Sequence, residues 1–138
     1  MKYLIIPLIL MIGPLFGVMA QKTETREEGK LMVIWTSADR DVALNVCLMY
    51  TKAANKMKWF DEVHLIIWGP SAKLLSYDKE VQAQIKDLQN TGVVVEACIV
   101  CTNRYGVTEP LKRLGIDVKA MGLPLTERLK TNWKQLNF

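Results

Sequence analysis

The sequence predicts a single α/β domain, a small flavodoxin-like or Rossmann-like layer fold with a mostly parallel sheet and helices on both faces. The chain has 138 residues and is 50% hydrophobic, which allows one core but not two ordinary domains. Short, continuous apolar runs recur along it, as in strands that are buried on both faces. Helical patterns separate these runs, and this alternation is typical of a parallel sheet.

Four segments have the pattern of strands. Residues 30–36 and 62–68 are almost wholly apolar runs that end in polar or turn residues, and residues 92–97 contain three successive valines. Residues 116–120 form a weaker fourth candidate. We therefore predict a sheet of four strands, each followed by a helix or a helical turn.

The segments between the strands carry helical patterns. Residues 41–58 place small and apolar side chains at three- and four-residue steps, and residues 78–90 do the same before Gly92 ends the pattern. Residues 98–106 fit an irregular loop or a short helical turn. Shorter helices are predicted at 71–75, at 108–114 and, at the C-terminus, at 126–133.

The N-terminal residues have the pattern of a secretory signal. A short positive start precedes an apolar run, and Val18-Met19-Ala20 resembles a signal-peptidase site. A membrane anchor is the alternative, but the segment barely reaches the length of a spanning helix and contains Pro7 and Pro14. We therefore expect cleavage after Ala20, a flexible lead-in over residues 21–29 and a folded domain over residues 30–138. The protein would then be exported, periplasmic if the source is Gram-negative, without a stable membrane anchor after cleavage.

Composition argues against several functional classes. The net charge is +4 and the basic residues are scattered, whereas nucleic-acid binding needs clustered Lys and Arg, so we expect no nucleic-acid partner. The glycine-rich motifs of nucleotide sites do not occur in the sequence, and we predict no cofactor. The single histidine, His64, lies mid-strand, which indicates a satisfied side chain rather than a catalytic base.

The polar and reactive side chains follow the predicted strands. Ligands of open parallel sheets bind beyond the carboxyl ends of the strands, so these segments are the candidates for a site. Asp39 and Arg40 follow the first strand, and we place both at the rim of the pocket, although a helix cap and a surface charge would also explain them. The other candidate binding residues at these strand ends are Ser71, Asn103 and Arg104.

The spacing Cys98-x-x-Cys101 after the third strand is the most informative motif. A zinc site is the least favoured interpretation, because the only other soft donors are Cys47 and His64; we predict no metal. A structural disulfide is possible, but its short loop would stabilise the fold little. A reactive thiol pair is favoured, because a strand end that leads into a helical turn beside Arg104 lowers a thiol pKa.

Several separated segments carry a family resemblance. They are residues 94–107, residues 67–75, residues 115–122 and Pro124-Leu125-Thr126. Together they resemble the DsrE/DsrF-like family, particularly its exported single-domain members. The resemblance implies a flavodoxin-like fold and a homo-oligomer, commonly a trimer or a hexamer built from trimers. The sulfur-relay members of this family carry persulfide sulfur on a cysteine in the loop after a strand, and Cys98 matches that position here.

Two functional hypotheses follow. The first is a thiol-based sulfur-transfer or redox protein in which Cys98 is the nucleophile or persulfide carrier and Cys101 the resolving partner. Its partners would be a sulfur donor or acceptor protein or a small anionic sulfur species. The second is a non-catalytic oligomeric scaffold in which Cys98 and Cys101 form a structural pair. We expect Cys98 to be the most reactive of the three thiols because it is the most accessible, Cys101 to be less accessible, and Cys47 to be buried.

The aromatic and sulfur-containing side chains also predict self-association. A domain of this size has little room for so many large apolar side chains, and exposed apolar patches usually mark interfaces. We therefore expect part of this set to cover a partner subunit. The set is Trp35, Trp68, Trp133, Met32 and Met121.

Overall fold

The computed structural model describes residues 29–138. The predicted signal peptide and the lead-in up to residue 28 lie outside the described residues. The described chain forms one sheet in which all five strands are parallel, in the order β4-β3-β2-β1-β5. The strands are β1 (Lys30–Trp35), β2 (Glu62–Ile67), β3 (Val94–Cys98), β4 (Asp117–Lys119) and β5 (Trp133–Asn137).

Helices connect the strands, as the alternation predicts. The first connection is a continuous helical stretch that contains a π-helical segment (Ala43–Leu48), flanked by α1 (Arg40–Val42) and α2 (Met49–Lys56). Asp39 caps its start, and Asp78 caps the start of the helix Lys79–Asn90 in the same way. The remaining helices are α3 (Ser71–Tyr77), α4 (Lys79–Asn90), α5 (Ile99–Arg104), α6 (Thr108–Arg113) and α7 (Gly122–Leu129).

The helices are distributed unequally over the two faces of the sheet. The first face, which Leu31, Val33 and Trp35 of β1 mark, packs against the π-helical segment, α2, α3, α4 and α6. The second face, which Met32 and Ile34 mark, is covered by the chain around α7. Because β1 to β4 follow one another in one direction across the sheet, their right-handed crossovers fall on the same side. The return to β5, beyond β1, puts α7 on the other side.

The C-terminal segment differs from the prediction. A helix was expected over residues 126–133, but α7 ends at Leu129 and the chain then forms β5, which pairs with the free edge of β1. The backbone N–H of Phe138 donates to the Ile34 carbonyl at 2.9 Å, and the Thr36 N–H donates to the Phe138 carbonyl at 2.7 Å. The fifth strand is thus held by long-range backbone pairing with β1, and its polar sequence does not predict a strand.

The large apolar side chains that we expected at a subunit interface lie mostly inside the domain. Trp35, Met32 and Met121 are fully buried, while Trp68 and Trp133 are half-buried. Other apolar residues are exposed instead. Around α5 and α7 these are Val100, Leu123 and Leu129, with exposed fractions of 62%, 68% and 53%. No helix within residues 29–138 has the length and apolar character to cross a membrane.

Candidate functional site

A cavity of about 420 Å³ opens at the carboxyl edge of the sheet, where the chain leaves β2, β3 and β4. This is the position at which open parallel sheets bind ligands. Both cysteines of the C-x-x-C motif line it, together with aromatic and apolar side chains and one cation. The lining residues are Trp68, Gly69, Cys98, Val100, Cys101, Arg104, Tyr105, Ala120, Met121 and Gly122.

Cys98 lies at the floor of this cavity. It is the last residue of β3 and pairs in register with Lys119 of β4. Its side chain lies on the second face of the sheet, in the same apolar cluster as Ile66 and Met121, and only 4% of the residue is exposed. The thiol is therefore enclosed, in contrast to the expectation that it would be the most accessible of the three.

Cys101 is the more accessible thiol of the pair. The chain passes from Cys98 directly into α5, so Cys101 lies one helical turn further out and is half-buried. The two cysteines line the same cavity, and the Cys98 side chain and the backbone N–H of Gly69 are close enough to Cys101 to affect the pKa of its thiol. The expectation that Cys101 would be the less accessible cysteine is wrong, because no loop separates the strand from the helix.

Three neighbours affect the ionisation of Cys101. Burial raises the pKa of the Cys101 thiol, and contact with the Cys98 side chain raises it further. The N–H of Gly69 and the positive charge of Arg104 lower the pKa, without cancelling the increase. The thiolate is therefore disfavoured overall, but the groups that stabilise it are already in place.

Gly69 has a backbone conformation that favours glycine. It follows β2 with a φ of +70°, in the left-handed region that side chains disfavour. The space around its α-carbon is open, so the requirement for glycine comes from the backbone and not from crowding. Its N–H is close enough to Cys101 to lower the pKa of that thiol.

Arg104 is the third predicted site residue that lines the cavity, after Cys98 and Cys101. It is exposed and ends α5, one turn after Cys101. None of the carboxylates of residues 29–138 forms an ion pair with it. Its charge is therefore available to an anion in the cavity.

Asp39 and Arg40 do not line the cavity, although we expected them at its rim. Asp39 accepts hydrogen bonds from the backbone N–H groups of Asp41 and Val42 and so caps the first helix. Arg40 forms ion pairs with Asp78 and Glu80. These pairs join the first helix to the start of α4 and commit the guanidinium to a structural contact.

Ser71 and Asn103 also make structural contacts outside the cavity lining. The buried Ser71 hydroxyl donates to the carbonyl of Trp35 at 2.6 Å, which ties the end of β1 to the start of α3. The Asn103 side-chain oxygen accepts from the Thr108 hydroxyl at 2.6 Å and joins α5 to α6. The structure therefore brings together Cys98, Cys101 and Arg104, but not the other four candidates.

Cys47 is buried in the core of the first face, as its helical stripe predicts. Burial raises the pKa of its thiol to about 12. His64 lies on the second face, so the two remaining soft donors are on opposite sides of the sheet and cannot both join the Cys98–Cys101 pair in one zinc site. No group of three His, Cys, Asp or Glu side chains suited to a metal occurs within residues 29–138.

A charged cluster lies beneath the cavity, and the sequence analysis missed it. Glu96 is 1% exposed and on the same face as Cys98, two residues before it. Its carboxylate accepts a hydrogen bond from Nη2 of Arg128 at 2.9 Å and forms an ion pair with Nζ of Lys119 at 2.8 Å. The ring of His64 contacts it at 3.0 Å, which confirms that this histidine is a satisfied buried side chain. The signal in the sequence was the position of Glu96, a charged residue directly after a run of valines in a buried strand.

This cluster positions the chain above the cysteines. Burial would raise the pKa of Glu96, but the hydrogen bonds of His64, Arg128 and Lys119 outweigh it and hold that pKa far below its ordinary range. Lys119 ends β4 and Arg128 lies on α7, so the two cations flank the cavity-lining residues 120–122. Glu96 thus anchors both ends of the segment that covers Cys98.

Comparison with known proteins agrees with this architecture. The sequence profile of the DsrE/DsrF-like family matches residues 29–138, the whole of the described chain. No curated protein matches the sequence significantly. Among solved structures, a conserved protein of unknown function from Bacteroides thetaiotaomicron, BT1422, is 37% identical with a TM-score of 0.76. That alignment covers 79% of this chain and 94% of BT1422.

Two more distant structures share the fold. The ychN protein from E. coli is 14% identical with a TM-score of 0.61, and the alignment covers 80% of this chain and 99% of ychN. MTH1491, a protein of unknown function from Methanobacterium thermoautotrophicum, is 18% identical with a TM-score of 0.64, at the same coverages. The family profile, the parallel α/β sheet and the similarity to BT1422 agree, and the chain therefore belongs to the DsrE/DsrF-like family.

Proposed function

We propose that this protein transfers sulfane sulfur and that Cys98 carries it as a persulfide. Membership of the DsrE/DsrF-like family indicates a function related to sulfur relay. The observation that carries the finer proposal is that two cysteines line one cavity and that, within residues 29–138, Arg104 is its only charged lining residue. Cys101 acts with Cys98 as the second thiol of the exchange.

The cavity suits a persulfide in two ways. Its walls are largely aromatic and apolar, from Trp68, Tyr105 and Met121, and they shield the outer sulfur from thiols in solution that would remove it. Arg104 provides a positive potential at the open side, which favours an anionic sulfur species over a neutral one. The chemistry needs no metal or cofactor, because a thiolate displaces a thiolate at sulfur.

The proposed partners are a sulfur donor and a sulfur acceptor, either proteins or small anionic sulfur compounds. The family resemblance also makes a homo-oligomer part of the proposal. Exposed apolar side chains beside the cavity, Val100 and Leu123, would then lie near a subunit contact. A cavity next to a subunit contact would allow assembly to influence access to the thiols.

The proposal is tested by loading the reduced protein with inorganic polysulfide and measuring its intact mass after excess donor has been removed. We expect a stable gain of one sulfur atom, mapped by peptide analysis to Cys98, and no stable gain in Cys98→Ser. The matched control Cys47→Ser should load like the wild type, since Cys47 lies in the core away from the cavity.

A protein that gains no sulfur and whose Cys98–Cys101 pair is reduced only under harsh conditions would contradict the proposal. That outcome would instead favour the oligomeric scaffold with a structural cysteine pair.

A further inference from the structure

We propose, on the basis of the sulfur-transfer function above, that Cys101 is the thiol that takes sulfur from the donor and that it then passes this sulfur to Cys98. The two cysteines would form an internal relay with a fixed direction, from the mouth of the cavity to its floor. This order is opposite to that expected from the sequence, in which Cys98 meets the substrate first.

Accessibility is the first argument. Cys98 is 4% exposed, whereas Cys101 is half-buried on the outer side of the same cavity. Nucleophilic attack on a persulfide requires the attacking sulfur, the sulfane sulfur and the leaving sulfur to lie nearly in line, and the donor's thiol must have room behind it. A donor larger than a small ion has that room at Cys101, but not at the floor beneath Met121.

The groups around each sulfur are the second argument. The N–H of Gly69 is near the Cys101 sulfur, and Arg104, which has no carboxylate partner within residues 29–138, lies one helical turn away. Both groups partly offset the increase in the pKa of Cys101 that burial causes, and so they favour negative charge on Cys101 during the attack and when it leaves again. Cys98 lies instead in the apolar cluster with Ile66 and Met121, surroundings suited to holding sulfur.

The contact between the two thiols is the third argument. Their side chains line the same cavity, and Cys98 is close enough to raise the pKa of Cys101, so a sulfur atom bound to Cys101 is near the Cys98 thiol. The proton of the Cys98 thiol can move to Cys101 along the same contact as the sulfur is transferred. The geometry thus connects an accessible thiol to an enclosed one.

The chemistry balances in two steps. In the first, the Cys101 thiolate attacks the sulfane sulfur of the donor persulfide, so a Cys101 S–S bond forms, the donor S–S bond breaks, and the donor leaves as a thiolate. In the second, the Cys98 sulfur attacks the outer sulfur of the Cys101 persulfide, so a Cys98 S–S bond forms and the Cys101 S–S bond breaks. Cys101 leaves as a thiol, because it takes up the proton that Cys98 releases. Each step exchanges one S–S bond for another, so no external oxidant or reductant is consumed.

The test compares two donors of different size on the reduced full chain, with sulfur on each cysteine followed over time by quenching and peptide mapping. With glutathione persulfide, we expect label on Cys101 first and on Cys98 later. Cys101→Ser should load Cys98 roughly tenfold more slowly, because access limits the exchange. With inorganic polysulfide, which is small enough to enter the cavity, the deficit of Cys101→Ser should be much smaller.

Two further variants keep the outcome interpretable. In Cys98→Ser, Cys101 should still gain sulfur from glutathione persulfide, but it should lose that sulfur quickly to added thiol because no second thiol is beside it. In Arg104→Met, which retains both thiols, the first step should slow and its rate should recover at higher pH, since loss of the cation raises the pKa of Cys101. Circular dichroism establishes that each variant is folded.

The proposal is overturned if Cys98 is labelled before Cys101, or if Cys101→Ser loads from glutathione persulfide at the wild-type rate. Release of hydrosulfide with a Cys98–Cys101 disulfide as the only product also overturns it, because Cys98 would then attack the inner sulfur. The first two results would leave the sulfur-transfer function itself intact. That function is contradicted by a different result, in which neither cysteine of the wild type retains sulfur from either donor.

Discussion

Glu96→Gln is the substitution whose effect the structure predicts most sharply. Glutamine has nearly the same shape, so the change removes the charge and leaves the packing on the second face intact. Arg128, whose side chain is 16% exposed, loses its carboxylate partner. The Lys119 side chain is 39% exposed and loses one of its two carboxylate partners, because it keeps Asp117. The variant therefore isolates the electrostatic contribution of the buried carboxylate.

The magnitude follows from the burial of the partners. Removing one member of a buried ion pair costs about 3–5 kcal/mol, because the remaining charge stays buried without compensation. Lys119 keeps Asp117 and contact with solvent, which places the expected cost at the lower end, about 3 kcal/mol. For a domain of roughly 110 residues, 1 kcal/mol corresponds to about 4 °C in Tm, so Tm should fall by about 12 °C.

The assay is thermal unfolding of the full chain at neutral pH, and Glu109→Gln is the matched control. Glu109 forms an exposed ion pair with Lys112, its side chain being 69% exposed. Loss of such a pair costs about 0–1 kcal/mol, so the control should lose only a few degrees at most. Because Glu96 anchors the segment over Cys98, alkylation of Cys98 should also be faster in Glu96→Gln than in the control.

The effect also has a defined pH dependence. The pKa of Glu96 in the folded protein lies below its ordinary value of 4.5, so its contribution to stability is complete above that pH and is lost as the pH falls toward the folded pKa. The difference in stability between wild type and Glu96→Gln should therefore shrink below pH 4.5. Equal Tm values for Glu96→Gln and Glu109→Gln at neutral pH would refute the reasoning.

Two other predictions concern Cys47 and assembly. Because burial raises the pKa of Cys47 to about 12, the native protein should resist alkylation there at neutral pH, and peptide mapping after iodoacetamide treatment should recover it unmodified; labelling as fast as at Cys101 would contradict this. The chain should self-associate at micromolar concentration, with a trimer as the first expectation. Light scattering should show a smaller average mass for Val100→Glu than for the wild type, because the charge lies on an exposed apolar surface. A monomeric wild type would contradict the prediction of self-association.

Much of the domain was predictable from local pattern. Strands β1 to β4 lie within two residues of their predicted bounds, because apolar runs report directly which backbone is buried. The burial of Cys47 followed from its helical stripe, and the place of the C-x-x-C motif followed from the strand before it. Such features depend on spacing along the chain, which is present in the sequence itself.

The remaining features depend on which distant segments meet. The polar strand β5 exists because β1 has a free edge, and Arg40 is withdrawn from the cavity because α4 starts beside it. Glu96 receives its cations from two elements that follow it in the chain, Lys119 of β4 and Arg128 of α7.

The sequence by itself thus determined the α/β class, the alternation of elements and the presence of a thiol pair at a strand end. Only the tertiary structure decided that Cys98 is enclosed, that Cys101 faces the opening and that Arg104 is the cation beside them. The physical reason is that the buried side chains of a helix or strand repeat at a short, regular spacing along the sequence. Which side chains share a cavity depends instead on the order of the strands and the direction of the crossovers.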